Sequence, residues 1–351
     1  MTALPFISAM IVARNEECYI EQCFRSLLEQ SYPADCYEVL IIDGFSTDKT
    51  LDIAKETEAK YAKCIDENNT DTSIKTETKV QIRYFSNPKL SLAAGWNLGI
   101  RNAQGDYVIR IDAHAYADKD YLFNSMRTML SVKDAVCVGG AMNTETLTEK
   151  GEIIKEVLSS PFGVGGSKFR YMKEAGYVDT VAFGLYKKEV FERLGYFDEQ
   201  LERTQDNDMH RRIRADGGKF YLNPEIKTTY YSRDSMSKMM KQGFMNGKWT
   251  MINFRRHPGK MAIRHFVPFG FVLSLLGCFA LGFFSKSFLV LMLLGIVLHL
   301  SVGCYFAFER SKEMSHRLAI PFLFLMLHGS YGIGSLVGVF MPLRRNFSKN
   351  C

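Results

Sequence analysis

The last quarter of this chain constrains it most. Three apolar stretches, near 266 to 284, 287 to 308 and 318 to 341, crowd the region after residue 265. A helix needs about 20 apolar residues to cross the hydrocarbon core of a bilayer, and each stretch is near that length. Only a segment that satisfies its own backbone survives there, so helices are expected. The overall hydrophobic content of 47% therefore averages over two solvents. Ser285, Lys286 and Ser287 alone join the first two stretches, which read as a tight hairpin. Arg255, Arg256, Lys260 and Arg264 precede the pair, and Arg310, Lys312 and Arg317 follow it; cationic loops stay inside, so both flanks belong in the cytoplasm. The third stretch either crosses or re-enters. A crossing leaves Arg344, Arg345 and Lys349 outside, against the charge rule, whereas Pro321 and the run HGSYGIG (His328 to Gly334) let it bend where protein covers the backbone.

The formal charge of +6 is modest, and its cations flank the apolar runs, which points to a membrane surface rather than nucleic acid. Eight cysteines without a CxxC pair suggest neither a zinc ribbon nor a disulfide framework, and a reducing cytosol fits. Ala3 to Ala13 is apolar but too short to span and lacks a basic start, so it reads as a buried first strand rather than a leader.

Upstream of the tail the pattern alternates. Ile7 to Ala13 and Tyr37 to Asp43 (YEVLIID) read as buried strands, and Gln81 to Ser86 and Tyr107 to Asp112 as a third and fourth strand. Between them, Glu17 to Gln30, a stretch capped by Ser46 or Thr47 and running to about Tyr61, and Leu92 to Ala103 read as helices. Lys63 to Lys79 reads as a polar surface insertion. Strands alternating with helices predict an α/β fold with a mostly parallel, doubly wound sheet whose strand-end loops converge on one crevice. Val136 to Met142 is strand-like, Glu145 to Lys155 polar, and Pro161 to Gly166 (PFGVGG) a loop. Met236 to Phe254 mixes Met, Phe and Trp with lysines, and either lies in the headgroup layer or packs on the globular part. Three regions result: a catalytic domain over 1–232, a basic amphipathic segment over 233–264 and a membrane domain over 265–343.

The fourth strand delivers Asp112 and His114 to its carboxyl end, in the stretch IDAHAYADKD. A hard oxygen beside a borderline nitrogen suits Mn²⁺ or Mg²⁺ bridging a nucleotide diphosphate better than a closed zinc site. Arg110 lies on the same strand face as Asp112, and faces either phosphate or a structural salt bridge. VARNEE (Val12 to Glu17), IIDGFSTDKT (Ile41 to Thr50) and GYFDEQLERTQDNDMHRR (Gly195 to Arg212) can reach the same crevice.

With these motifs in this order the chain resembles the family 2 glycosyltransferases, of GT-A fold, over about residues 5 to 250. It looks most similar to membrane-attached enzymes of bacterial exopolysaccharide assembly, such as that of succinoglycan. The resemblance implies that Asp43 contacts the uracil side of a UDP-sugar and that Ala13, Arg14 and Glu16 line the nucleotide pocket. Asp112 and His114 correspond to the family's DxD pair, which touches ribose and holds the divalent cation; here it is DxH. TQDND resembles the ED motif, making Asp206 the base that takes the acceptor's proton, with Gln205 where Glu is usual. Asp208 either orients the acceptor or pairs with Arg211 or Arg212. Trp249 stacks on a sugar face or anchors at the interface. The QxxRW signature of processive members fails, because Gln242 is followed three residues later by Met245.

The expected reaction is an inverting transfer of one sugar to a lipid-linked, polyprenyl-diphosphate acceptor at the cytoplasmic face of the inner membrane, in company with other polysaccharide-assembly proteins. Two rivals stay open. One is a sugar-nucleotide or lipid-phosphate enzyme using the same crevice, although no P-loop is present. The other is a non-catalytic membrane subunit with a degenerate transferase domain.

Overall fold

The computed structural model describes residues 4–68, 79–146, 148–165, 167–232, 235–258 and 263–342. Lys260, Arg344, Arg345, Lys349, Gly166 and residues 69–78 of the expected insertion lie outside the described residues. The first stretch of chain forms β1 (Ile7–Ala13), α1 (Ile20–Leu28), β2 (Tyr37–Asp43), α2 (Thr50–Asn68), β3 (Gln81–Ser86) and α3 (Leu92–Asn102). Next come β4 (Tyr107–Asp112), β5 (Ala115–Ala117), α4 (Tyr121–Ser131), β6 (Ala135–Glu145), α5 (Glu149–Leu158) and α6 (Pro161–Val164). They are followed by β7 (Gly176–Val178), β8 (Leu185–Lys187), α7 (Glu189–Leu194), α8 (Gln205–Ala215) and β9 (Lys219–Tyr231). Four helices close the chain: α9 (Met236–Arg256), α10 (Val267–Leu281), α11 (Lys286–Arg310) and α12 (Met314–Phe340). Two compact units result, Met1–Glu145 with Ser167–Tyr231, and Thr146–Gly166 with Ser232–Cys351.

In the first unit, nine strands among the described residues form one sheet in the order β3-β2-β1-β4-β8-β6-β9-β5, with β7 on β9. The strands β3, β2, β1 and β4 run parallel, and β8 lies antiparallel to both β4 and β6. The α/β architecture is as expected; β8 interrupts the parallel pairing, and β6 and β9 form a second parallel pair beyond it. Period-2 alternation supplies a core on each face: Ile7, Ala9, Ile11, Tyr37, Val39 and Ile41 enter one, while Met10, Leu40, Ile42 and Val108 enter the other. Helix α1 adds Ile20, Cys23, Phe24, Leu27 and Leu28 at helical spacing. One charge is fully buried between the strands. Glu38 accepts from the Ser8 hydroxyl at 2.6 Å and pairs with Arg83 at 3.0 Å. Because β1 lies between β2 and β4, the chain order reverses there, and such a switch point opens a crevice at the carboxyl ends of the strands.

The second unit departs from the sequence expectation in three places. Segment 146–166, expected inside the catalytic domain, clusters here instead, because Ile154 and Val157 of α5 bury with Ile320, Leu323 and Phe324 of α12. The HGSYGIG run does not break the helix: α12 is one continuous 27-residue helix with Pro321 inside it. Its glycines admit α9, since a Cβ on Gly334 would stand 2.0 Å from the Phe244 carbonyl oxygen and one on Gly247 1.9 Å from that of Tyr331. Finally, the first apolar stretch yields a helix of only 15 residues, α10, about 22 Å at 1.5 Å per residue. The helices α11 and α12 are long and apolar enough to cross a membrane. Leu291, Leu294, Leu298 and Tyr305 of α11 are all more than half exposed, an apolar surface that water disfavours.

Candidate active site

Strand β1 ends between two carboxylates. The register sets Ala13 beside Asp43 on one flank and Val12 beside Asp112 on the other. Asp43 is nearly buried and accepts from the Ser46 hydroxyl at 2.6 Å and the Ser46 N–H at 3.2 Å. That same hydroxyl accepts from the Asn15 N–H at 3.0 Å, and Asn15 Oδ1 accepts from the Thr47 N–H at 2.8 Å. One residue on, the Glu16 N–H donates to Thr50 Oγ1 at 2.8 Å. The loops after β1 and β2 are thus stitched together across the crevice floor. Asn15 holds φ 55°, a left-handed conformation that Asn adopts more readily than most residues. Arg14 is exposed beside this floor, whereas the Ala13 side chain is buried and its carbonyl accepts from the Gly44 N–H. The pocket-lining role expected of Ala13 is therefore not one for its side chain.

On the other flank, His114 Nδ1 lies 3.3 Å from the Glu16 carboxylate, and the ring packs edge-on against Tyr230. A carboxylate there favours the proton on Nδ1 and the lone pair on Nε2, which is how metal-ligating histidines are commonly oriented. Glu16 thereby has a partner in the DxH motif as well as a place near the nucleotide loop. Among the described residues no three His, Cys, Asp or Glu side chains cluster to hold a metal by themselves. Asp112 and His114 offer two donors of the right chemistry, a set that fits a cation whose remaining positions go to phosphate oxygens and water.

Asp206 comes to the same place from the far side of the sheet. It opens α8, next to the buried Gln205, and its Oδ2 lies 3.4 Å from Arg110 Nη2. Of the two roles open to Arg110, the geometry gives the ion pair, and the partner is the expected base itself. The guanidinium is stacked 3.6 Å from the Trp96 ring centroid, with Phe197 at 5.3 Å. Burial opposes ionisation of Asp206, but the Arg110 guanidinium outweighs it, and the carboxyl lies below its ordinary value. Asp112 moves the opposite way: burial raises it, His114 and Arg110 offset part, and Asp206 and Glu16 add to the rise. Two carboxylates whose values are pushed apart suit two different tasks.

Behind Asp206, one turn along α8, His210 is buried between the Tyr186 hydroxyl at 2.6 Å and Thr180 Oγ1 at 2.7 Å. Burial pushes it down to about 3, so it is neutral. Sequence reasoning passed over Trp96, Tyr186 and His210, because nothing in their local pattern separates them from core. Asp208 is only 2% exposed, and both its oxygens pair, with Arg211 at 2.8 Å and Arg212 at 2.9 Å. Arg212 also donates to the carbonyls of Leu194, Gly195 and Tyr196. Of the two roles open to Asp208, the geometry gives the pairing with Arg211 and Arg212, and through Arg212 it fixes the loop before α8. Trp249 lies on α9 in the second unit, with Lys248 Nζ 5.9 Å from its ring centroid.

Residues 8–195 match the model of Glycosyl transferase family 2. The chain belongs to this family. A relative from Methanococcus voltae, a dolichyl N-acetyl-alpha-D-glucosaminyl phosphate 3-beta-D-2,3-diacetamido-2,3-dideoxy-beta-D-glucuronosyltransferase, is 32% identical over 95% of this chain and 97% of its own length. The succinoglycan biosynthesis protein ExoA of Rhizobium meliloti is 26% identical over 74% of this chain and 73% of its own. Among solved structures, a mannosyltransferase from Pyrobaculum calidifontis, in complex with GDP-Man and Mn²⁺, superposes with a TM-score of 0.57 over 95% of this chain and 88% of its own, at 18% identity. That likeness establishes a shared GT-A-like fold. The chain is a family 2 glycosyltransferase, and its crevice at the ends of β1, β2 and β4 is where that family identity meets the geometry above.

Proposed function

We propose that this family 2 transferase is an inverting, metal-dependent enzyme that moves one sugar from a nucleoside-diphosphate donor, a UDP-sugar, to a saccharide carried on a lipid phosphate. The observation that carries the reading is the meeting of Asp206 and Asp112 around one arginine at the strand ends. Asp43 and the stitched loops after β1 and β2 take the nucleoside. Asp112 and His114 hold the cation, with Glu16 orienting His114. When bound, such a cation neutralises charge on the departing diphosphate. Asp206, held ionised by Arg110, accepts the proton of an acceptor hydroxyl as the new bond forms, within hydrogen-bond reach of the attacking oxygen. The attack from the face opposite the leaving group inverts the anomeric centre.

The acceptor class is supported by the Methanococcus voltae relative, whose name specifies a dolichyl phosphate-linked sugar, and by two helices of membrane-crossing length. A lipid phosphate confined beside the site raises the acceptor's effective concentration. We place the enzyme at the cytoplasmic face of the cell membrane, in the synthesis of a cell-surface glycan. The decisive experiment incubates membranes holding the full chain with a panel of labelled nucleotide sugars and Mn²⁺, scoring labelled lipid and its anomeric configuration. A glycosylated lipid with inverted configuration, abolished by EDTA, is expected. Transfer of a sugar phosphate, or full activity in EDTA, overturns the reading.

A further inference from the structure

The short segment from Ser159 to Gly165 reaches a place where a soluble loop does not belong. Phe162 sits between two rings of α11, with centroids 5.1 Å from His299 and 5.5 Å from Phe306, and against Phe324 and His328 of α12. The charges nearest along these helices are Glu309 and Arg310 on α11 and Arg317 on α12. At 1.5 Å per residue, Phe162 lies about 11 Å inward from Arg310 along α11, most of the way to the middle of a hydrocarbon core about 30 Å thick. One turn upstream, Glu156 of α5 pairs with Arg310 at 3.1 Å, so the chain descends from the charged belt at 310–317.

Non-helical backbone survives at such depth only when its polar groups are met by protein. Here they are. The Ser159 N–H donates to Lys155 O, the Ser160 N–H to Val157 O, and Pro161 has none to place. Phe162 N–H donates to Ser160 Oγ at 3.3 Å. The N–H groups of Gly163 and Val164 share Ser160 O at 3.0 Å, and Gly165 donates to Pro161 O at 2.9 Å. The Phe162 carbonyl, which the one-turn helix α6 leaves unmet, accepts from His328 Nε2 at 2.9 Å. That bond fixes His328 Nδ1 as an acceptor, and His299 Nε2 donates to it at 2.9 Å. A histidine pair at mid-length of two apolar helices is costly in lipid and therefore has a task. Residues 157–165 carry no charge, and Gly163 has no room for a side chain, because its Cβ would stand 2.0 Å from Val157 O.

We infer that Ser159–Gly165 is a re-entrant turn, inserted in the hydrocarbon of the membrane and held there by the His299–His328 chain to the Phe162 carbonyl. The inference rests on α11 and α12 crossing the bilayer. Its partner surface is lipid hydrocarbon, met by the exposed Pro161 at the tip of the turn.

The test uses the full chain in phospholipid vesicles, spin-labelled at single sites by Pro161→Cys or Leu294→Cys, with peptide mapping to assign the label among the native cysteines. Collision with oxygen and with a water-soluble nickel chelate reads the surroundings. Pro161→Cys is expected to collide strongly with oxygen and weakly with nickel, and addition of His328→Ala is expected to raise its nickel accessibility several-fold. A Leu294 label open to nickel overturns the crossing of α11 and the inference with it. A Leu294 label shielded in lipid while the Pro161 label is open to nickel, or closed to both reagents, overturns the re-entrant turn alone.

Discussion

The strand-end crevice and the α9–α12 contact bring chain segments together by opposite means. At the crevice, closeness is bought with charge and hydrogen bonds: Arg110 reaches Asp206, Arg211 and Arg212 clasp Asp208, and Ser46 serves Asp43 and Asn15 together. Along α9 and α12 it comes from missing atoms, because Gly243, Gly247, Gly334 and Gly338 let backbone approach backbone. The first region should tolerate a change of shape better than a change of charge. The second should fail on a single methyl group.

The largest effect expected is on chemistry. Asp206→Asn keeps the shape and removes the charge, so the transfer rate should fall by about 10²–10⁴-fold, the usual range for a lost general base. Its melting midpoint should fall only modestly, because Asp206 is half-exposed and Arg110 keeps its stacking on Trp96. A variant that turns over normally would break the comparison from the crevice side. Next, Asp208→Asn leaves two arginines around a neutral amide, and removing one partner of a buried pair costs roughly 3–5 kcal/mol. Because the arginines keep some exposure, the lower end is expected in chemical denaturation.

The helix pair is tested by a matched set. Gly247→Ala adds one methyl group where 1.9 Å is available, and overpacking of this kind costs about 1–3 kcal/mol. Gly295→Ala adds the same methyl group to α11 where nothing lies within 4 Å, so thermal stability in detergent should hold or rise. Equal melting of the two variants would end the argument from missing atoms.

Two smaller effects sharpen the crevice. Glu16→Gln should weaken Mn²⁺ binding by about 10–100-fold, read by spin-resonance titration, because it disturbs the group that orients His114. The pH dependence separates the carboxylates. In the cation-free protein Asp112 is raised by burial, so the acid limb of Mn²⁺ affinity should lie above the ordinary value of 3.8 and belong to Asp112. Asp206 is lowered despite burial, chiefly by Arg110, and stays ionised through that limb. A group with a depressed folded value stabilises the fold above its unfolded value and loses that contribution as pH falls through the folded one. Arg110→Ala should therefore cost stability near neutral pH, and the difference from the unaltered protein should shrink as pH falls through the folded value of Asp206.

Much of the first unit is legible in the chain because its physics is local. The strands Ile7–Ala13, Tyr37–Asp43, Gln81–Ser86 and Tyr107–Asp112 announce themselves as short apolar runs and form with those bounds. Asp43, Asp112 and His114 follow, being strand-end residues. Asp206 is legible only as part of a motif, since its approach to Arg110 spans 96 positions. What local pattern misses is what distant partners decide. The glycines of HGSYGIG look like hinges until α9 is laid against them, and PFGVGG looks like an idle loop until His328 caps it. Segment 146–166 is polar enough to pass for surface, yet Ile154 and Val157 send it to the helical unit.

The stitching of the loops after β1 and β2 has a thermodynamic consequence. Asn15, Ser46, Thr47 and Thr50 fix these loops to one another before any donor arrives, so the ordering entropy of the crevice floor is charged to folding instead of to association. On the proposed reading a donor nucleotide meets a rigid shelf, and loosening a stitch far from the reacting sugar would surface as a less favourable entropy of binding.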